Sequence, residues 1–485
     1  MEIQKSWQIL AGLASIVATT QTIGATTIID PPRGAVFTDP VTITNMSKTA
    51  GIVEVNLEAK VAPININGVK ANLITYNGMY PAPTIKVKKG DVLKIHFKNS
   101  LPNKGLNTMG EARNLTNLHT HGLHVSPKGK SDNVMISVKS GSTFDYEYDL
   151  SLHPAGNLNF YHPHQHGNSA EQVWGGLTGA LEVADETNAL ASYETHTMML
   201  KDITLTGSAP EKHSEEDYMR GKEGAVMMIN GKVNPVLAMK PGQVQRWKIV
   251  NASNARFYKL SLASHNLHII GTDGGLLNKP STQSAILLSP GERIDIMVKA
   301  SATKGYYKLL STPYATRRNN NTDQKITLLT VNVTGKAVTQ SIPAKINSKA
   351  VRLAIPKGTP TRKMTLSMDM DGAYINDIAH TATTAYNLNS KVNTYEIWEI
   401  LNDSGIDHPF HQHVNSVQVL SITGGDKDYT KFYTTTPAWK DTVIVPRKGS
   451  VKLLVPIKDF TGTAMFHCHI VEHQDMGMSG LWTIK

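Results

Sequence analysis

A chain of 485 residues has room for about three domains of ordinary size. Its 40% hydrophobic and 18% charged residues exclude the disordered and membrane-bundle classes and leave a globular protein. The formal charge of +10 favours anionic surfaces or substrates, but no run of Lys and Arg is long enough for a nucleic-acid stripe, so a solvated basic surface and no nucleic-acid partner are expected.

Residues 1–25 are expected to be a secretory signal. A short polar start ends at Lys5, residues 9–20 are apolar or small and uncharged, and Ala25 offers a small residue for cleavage. The apolar run is shorter than the roughly 20 residues a spanning helix needs. The expectation is a periplasmic or secreted protein with no transmembrane anchor.

From there on, short runs rich in Val, Ile, Thr, Leu and Tyr, such as 85–97, 244–250 and 450–456, alternate with Gly, Pro, Asn and Asp clusters. That spacing predicts an all-β sandwich architecture, and long helical periodicity is absent. Two stretches without aromatics, 185–192 and 335–363, read as connectors. They divide the chain into blocks at 26–187, 188–345 and 346–485. The polar run 317–325 reads as a surface loop inside the middle block.

Eight of the 19 histidines fall into four His-x-His pairs. The first block holds His119-Thr120-His121 and His162-Pro163-His164; the third holds His411-Gln412-His413 and His467-Cys468-His469. On a strand, residues i and i+2 project to one face, so each pair presents two imidazoles to a common cavity. Imidazole suits copper, zinc, iron and nickel. The middle block has no such pair, as if a sandwich had been duplicated and one copy had kept the fold but lost the ligands. Histidines scattered on surface strands would not repeat in this symmetric way.

Cys468 is the single cysteine, so no intramolecular disulfide forms, and a lone thiol in an exported protein needs burial or a metal to protect it. On a strand its sulfur points away from His467 and His469, towards a different site. A thiolate with two imidazoles and a weak axial Met is the blue-copper arrangement, and His408, His473 and Met478 complete it. Structural zinc would favour several cysteines.

The run Phe466-His467-Cys468-His469-Ile470-Val471-Glu472-His473, continuing to Gly477-Met478, resembles the copper signature of multicopper oxidases, especially bacterial laccases and copper-efflux oxidases. The other three histidine segments are similar too, as are the middle-block stretches 228–232, 251–256 and 271–275. The resemblance covers nearly all of the chain after residue 25. It implies three consecutive cupredoxin-like Greek-key β-sandwich domains and four copper ions. One, a type 1 copper, would be held by His408, Cys468 and His473 with Met478 axial. A trinuclear cluster would lie between the first and third blocks, with His119 and His411 on the type 2 copper. The type 3 pair would take His121, His162 and His467 on one ion and His164, His413 and His469 on the other.

The implied activity is laccase-like: one-electron oxidation of phenols or aromatic amines, coupled to four-electron reduction of dioxygen to water. The partners would be dioxygen and a small reducing substrate, with the protein a monomer. A cuprous or other metal-ion oxidase is the alternative, disfavoured because no long Met-rich insertion lies within 350–395. A copper-free envelope scaffold, a copper nitrite reductase and a copper-sequestering protein are further alternatives. Every ligand position is filled, which argues against the scaffold. In bacterial relatives a glutamate commonly follows the second type 1 histidine, but here that residue is Gln474. An amide does not titrate, so Asp475 is expected to be the near proton route, with Glu472 beside it and Asp132 approaching from the first block. His166 and His124 are expected outside the cluster, and His265 and His268 to be structural. Met364, Met368 and Met370 share a face that reads as core or edge strand.

Overall fold

The computed structural model describes residues 28–314 and 324–485. The expected secretory signal, and all but the last two residues of the expected loop at 317–325, lie outside the described residues.

Six of the sheets pair into three successive sandwiches. In the first, strands Val69–Tyr76, Ile52–Ile66, Val92–Asn99 and Thr143–Asp149 lie side by side in that order. Opposite them run Ala82–Val87, Gly179–Val183, Asn157–His162 and His119–His121. Strand Val92–Asn99 shows why: Leu93, Ile95 and Phe97 are buried while Lys94 and Lys98 alternate outward, the pattern of a strand with one dry face.

The middle sandwich has six and five strands. Its strand Val244–Asn251 is buried at all positions, because Glu194–Ile203 and Arg293–Lys299 flank it on both edges and neighbouring blocks cover its face. The third sandwich has two five-stranded sheets. Trp398 and Trp482 meet in its core with ring centroids 4.7 Å apart, beside Phe410 and Phe466. Fully burying each such side chain stabilises by about 1.5–3 kcal/mol.

Three short helices, one from each sandwich, meet at one junction. Ser169–Gly175, Glu215–Arg220 and Val471–Asp475 pack together through Ala170, Val173, Tyr218 and Val471. Among the described residues no helix is long and apolar enough to cross a membrane. Of the three methionines on one expected face, Met364 is buried and Met368 packs on the core, whereas Met370 lies beyond the strand end and is 89% exposed.

Candidate metal centres

Strand Gly462–Cys468 runs antiparallel to His408–Gln412, with Phe410 opposite Cys468 and His411 opposite His467. The chain then turns into helix Val471–Asp475, which carries His473 back to the sulfur. Cys468 Sγ lies 3.3 Å from His408 Nδ1 and 3.8 Å from His473 Nδ1, and the two nitrogens are 3.3 Å apart. Ser404 Oγ lies 2.8 Å from His408 Nε2 and so keeps Nδ1 turned to the sulfur. The Ile470 amide donates to the sulfur at 3.4 Å. Met478 is buried in the same loop; its carbonyl accepts from the Cys468 amide (3.0 Å) and its amide donates to the His473 carbonyl (2.9 Å).

The other eight histidines form one buried cluster between the first and third sandwiches. His119 stacks on His413 with centroids 4.1 Å apart, and His121 on His411 at 3.8 Å, so each stack joins the two sandwiches. The outer nitrogens of five of these histidines are tied down. His162 Nδ1 donates to the Pro163 carbonyl, His467 Nδ1 to the Cys468 carbonyl and His411 Nδ1 to the Asp441 carbonyl, each at 2.9 Å. His119 Nδ1 is held by Asp132 at 2.9 Å. The Nε2 atoms of these four therefore face inward. His121 is reversed: its Nε2 meets Asp441 Oδ1 at 3.0 Å and its Nδ1 faces His469 Nε2 at 3.2 Å.

The expected division of the last pair is corrected here. His467 Nε2 lies 3.1 Å from His164 Nε2 and 3.2 Å from His413 Nε2, while His469 sits against His121 and, with centroids 5.5 Å apart, His162. His467 thus belongs with His164 and His413, and His469 with His121 and His162. Strand alternation fixes the face two residues share but not which of them reaches which neighbour; that depends on the pairing of two separate sandwiches.

These nitrogens fit a metal. Burial pushes His119, His121, His164, His413, His467 and His469 well below the usual imidazole range, and His162 down to about 3. Where a ring's outer nitrogen already donates, as in His121 and His467, its inner lone pair faces another imidazole nitrogen, an arrangement that a cation between them relieves. Among the described residues, His119 Nε2, His162 Nε2 and His411 Nε2 are buried with no hydrogen-bond partner, which is costly unless something is bound there. A thiolate with two imidazoles beside an all-imidazole cluster is a donor set suited to copper.

Multicopper oxidase family models match residues 58–188, 193–336 and 354–485. The multicopper oxidase mco of Staphylococcus haemolyticus is 30% identical over 421 residues, covering 84% of this chain and 83% of the relative. The chain belongs to the multicopper oxidase family. A laccase of Bacillus subtilis is 26% identical over 492 residues, covering 89% of this chain and 94% of the relative. The solved structure of a multicopper oxidase from Campylobacter jejuni, described as a metallo-oxidase, superposes with a TM-score of 0.81 at 28% identity and covers 94% of this chain and 96% of that one. As a multicopper oxidase, the chain is a copper-dependent oxidoreductase that draws electrons from a reducing substrate and uses oxygen as the acceptor.

The acids around the centres of this multicopper oxidase are placed unequally. Asp132 touches the cluster: its oxygens lie 2.9 and 3.0 Å from His119 Nδ1 and accept from the Thr120 amide and hydroxyl. Burial raises its carboxyl to about 7, against the lowering effect of the Thr120 bonds. Glu472 instead turns to the middle sandwich, where Oε1 meets His213 Nε2 (2.9 Å) and Asn254 Nδ2 (2.8 Å). Asp475, the expected near proton route, accepts the Gly167 and Ala170 amides at 3.1 and 2.8 Å. It anchors the start of helix Ser169–Gly175 to the third sandwich. A cavity of about 110 Å³ that reaches His164 is lined instead by Gln474, Ser137, His166, His380 and Ser479. His166 stacks on His380 with centroids 4.9 Å apart, outside the cluster as expected. His124 is also outside, bonded to the Val414 carbonyl and to Asp459.

Sequence reasoning passed over Ser404, Asp441 and Arg293. The last two left a signal: charged residues inside apolar strand-like runs, Glu292-Arg293 before 294–298 and Lys440-Asp441 before 442–446. Such residues are rarely buried unless paired.

Proposed function

We propose that this multicopper oxidase is a laccase-like enzyme that oxidises phenols or aromatic amines one electron at a time and reduces dioxygen to water. The observation that carries the reading is the strand-to-helix segment 467–478, which serves both constellations: Cys468 and His473 face His408, while His467 and His469 enter the eight-histidine cluster. In this reading His408, Cys468 and His473, together with Met478, would hold a type 1 copper. His119 and His411 would hold a type 2 copper, and the two corrected triplets would hold a type 3 pair. Bound copper would supply the one-electron redox chemistry and the activation of dioxygen. The chain supplies the covalent path, which runs from the Cys468 sulfur through one stretch of backbone to both neighbouring imidazoles. It also supplies a dry surround, and at Asp132 a buried carboxyl that accepts from His119 Nδ1 and from Thr120 beside the cluster. The reading takes domains at 26–187, 188–345 and 346–485, a cleaved signal at 1–25, and a monomer in the periplasm or outside the cell.

Oxidation of a metal ion is the second reading, favoured by the likeness to the Campylobacter jejuni metallo-oxidase. Parallel dioxygen-uptake assays with a phenol, cuprous ion and manganous ion decide between them. Laccase-like function predicts the highest kcat/KM on the phenol; turnover confined to a metal ion would replace the first reading by the second.

A further inference from the structure

We propose that the middle sandwich, which has no histidine pair of its own, fixes the geometry of the histidine cluster through Arg293 and Asp441. The inference rests on the copper-cluster reading above.

Asp441 stands between a histidine of the first sandwich and one of the third. Its Oδ1 accepts from His121 Nε2 at 3.0 Å, and its backbone carbonyl accepts from His411 Nδ1 at 2.9 Å. These are the two rings stacked 3.8 Å apart across the interface. Because the proton of His121 is drawn to Nε2, Nδ1 is left as the lone pair facing His469. A carboxylate buried this deeply holds its place only when its charge is paired.

The pairing comes from the middle sandwich. Arg293 grips both oxygens of Asp441, with Nη1 2.6 Å from Oδ1 and Nη2 on Oδ2. Its Nε donates at 3.0 Å to the carbonyl of Leu158, on the first-sandwich strand that ends in His162. One guanidinium therefore ties all three sandwiches at the cluster. The planar fork suits this task, since a lysine ammonium offers a point charge and no fixed two-pronged grip.

Arg293 is itself held in register. Its amide donates to Asp273 Oδ1 at 2.8 Å, and Asp273 Oδ2 accepts the amides of Asp441 (3.2 Å) and Thr442 (3.3 Å). Lys440 Nζ bridges Asp273 at 2.9 Å and Glu292 at 2.6 Å. The same turn reaches a third histidine: a Cβ on Gly291, at φ +83°, would come 2.8 Å from the His469 ring. Gly122, at φ +95°, has no space for a side chain because Arg293 Nη2 and Asn159 Oδ1 fill it. Arg293 and Asp441 are thus positioning residues, set by a sandwich that touches the cluster without ligating it.

The test uses the full chain reconstituted with copper, as wild type and as Arg293→Lys, Arg293→Ala and Asp441→Asn. Three readouts are taken: copper bound per chain, the electron paramagnetic resonance of the cluster coppers beside that of the Cys468 centre, and the rate of reoxidation by dioxygen. Outer partners of metal-bound histidines are worth about 10–100-fold in metal affinity or activity. The expected result is a loss of that size in cluster copper affinity and reoxidation, an altered cluster resonance, and a visible band of the Cys468 centre close to wild type. Arg293→Lys should fall between wild type and Arg293→Ala. Should Arg293→Ala fail to fold, Arg293→Lys and the isosteric Asp441→Asn carry the test. Wild-type cluster affinity, resonance and reoxidation in both of those variants would overturn the proposal. So would losses equal at both centres and proportional to lost stability. A wild type that loads no copper at the histidine cluster would instead overturn the underlying reading.

Discussion

Cys468 sits where a thiol would otherwise be an inert core residue, buried beside Phe410 and Phe466. What distinguishes it is the company at the sulfur: two imidazole nitrogens and an amide donor converge there. A hydroxyl is a poor replacement for a soft anionic sulfur, so Cys468→Ser should abolish the intense visible band and substrate oxidation. Circular dichroism should show an intact β fold. An unchanged visible spectrum would remove Cys468 from the centre. The four histidine pairs and the cysteine were legible in sequence as a repeated spacing, although only His119 and His121 share one strand; His164, His413 and His469 each lie just past a strand end. The partition of His467 and His469 was not, and neither was Asp441, whose role exists only once three separate sandwiches meet at one carboxylate.

The elements divide in the same way. Strands such as Val92–Asn99 announce themselves by alternation, but the three-helix junction does not, since Glu215–Arg220 and Val471–Asp475 are too short to show helical periodicity. Helix Glu215–Arg220 relies on a capping box in which Ser214 and Asp217 satisfy each other's backbone amides. Removing such a cap costs about 1 kcal/mol, so Ser214→Ala should lower the unfolding free energy by that amount and leave the visible spectrum alone. A spectral change would mean that the helix shapes the Cys468 centre directly.

On the strand Ile52–Ile66, Glu58 carries a pH dependence of its own. Lys60 at 2.9 Å and Ser100 at 2.7 Å, with Lys98 at 3.1 Å, hold its carboxyl down to about 2. A depressed carboxyl stabilises fully above its unfolded value of about 4.3 and loses that contribution as pH falls towards the folded value. The destabilisation caused by Glu58→Gln should therefore be present at about pH 6 and shrink steadily below about pH 4. Denaturant titrations giving the same difference at both ends would show that the carboxylate pairs contribute nothing.

At the scale of the whole molecule, three sandwiches divide the labour. The third holds the Cys468 centre, the first and third share the histidine cluster, and the middle one ties them together through Arg293. The repeated histidine pairs of the first and third blocks were visible in the sequence, but what the middle block without such a pair contributes was not, because its contacts at the cluster are made by backbone turns and buried charges. In the proposed reading, the arrangement would join one-electron entry at the Cys468 centre to a histidine cluster able to complete a four-electron reduction. The ratio of electrons withdrawn to dioxygen consumed tests this most directly. The copper-loaded enzyme should oxidise four equivalents of a one-electron phenolic donor per dioxygen and release no hydrogen peroxide. A ratio of two with peroxide accumulating, or uptake that persists in Cys468→Ser, would contradict the account.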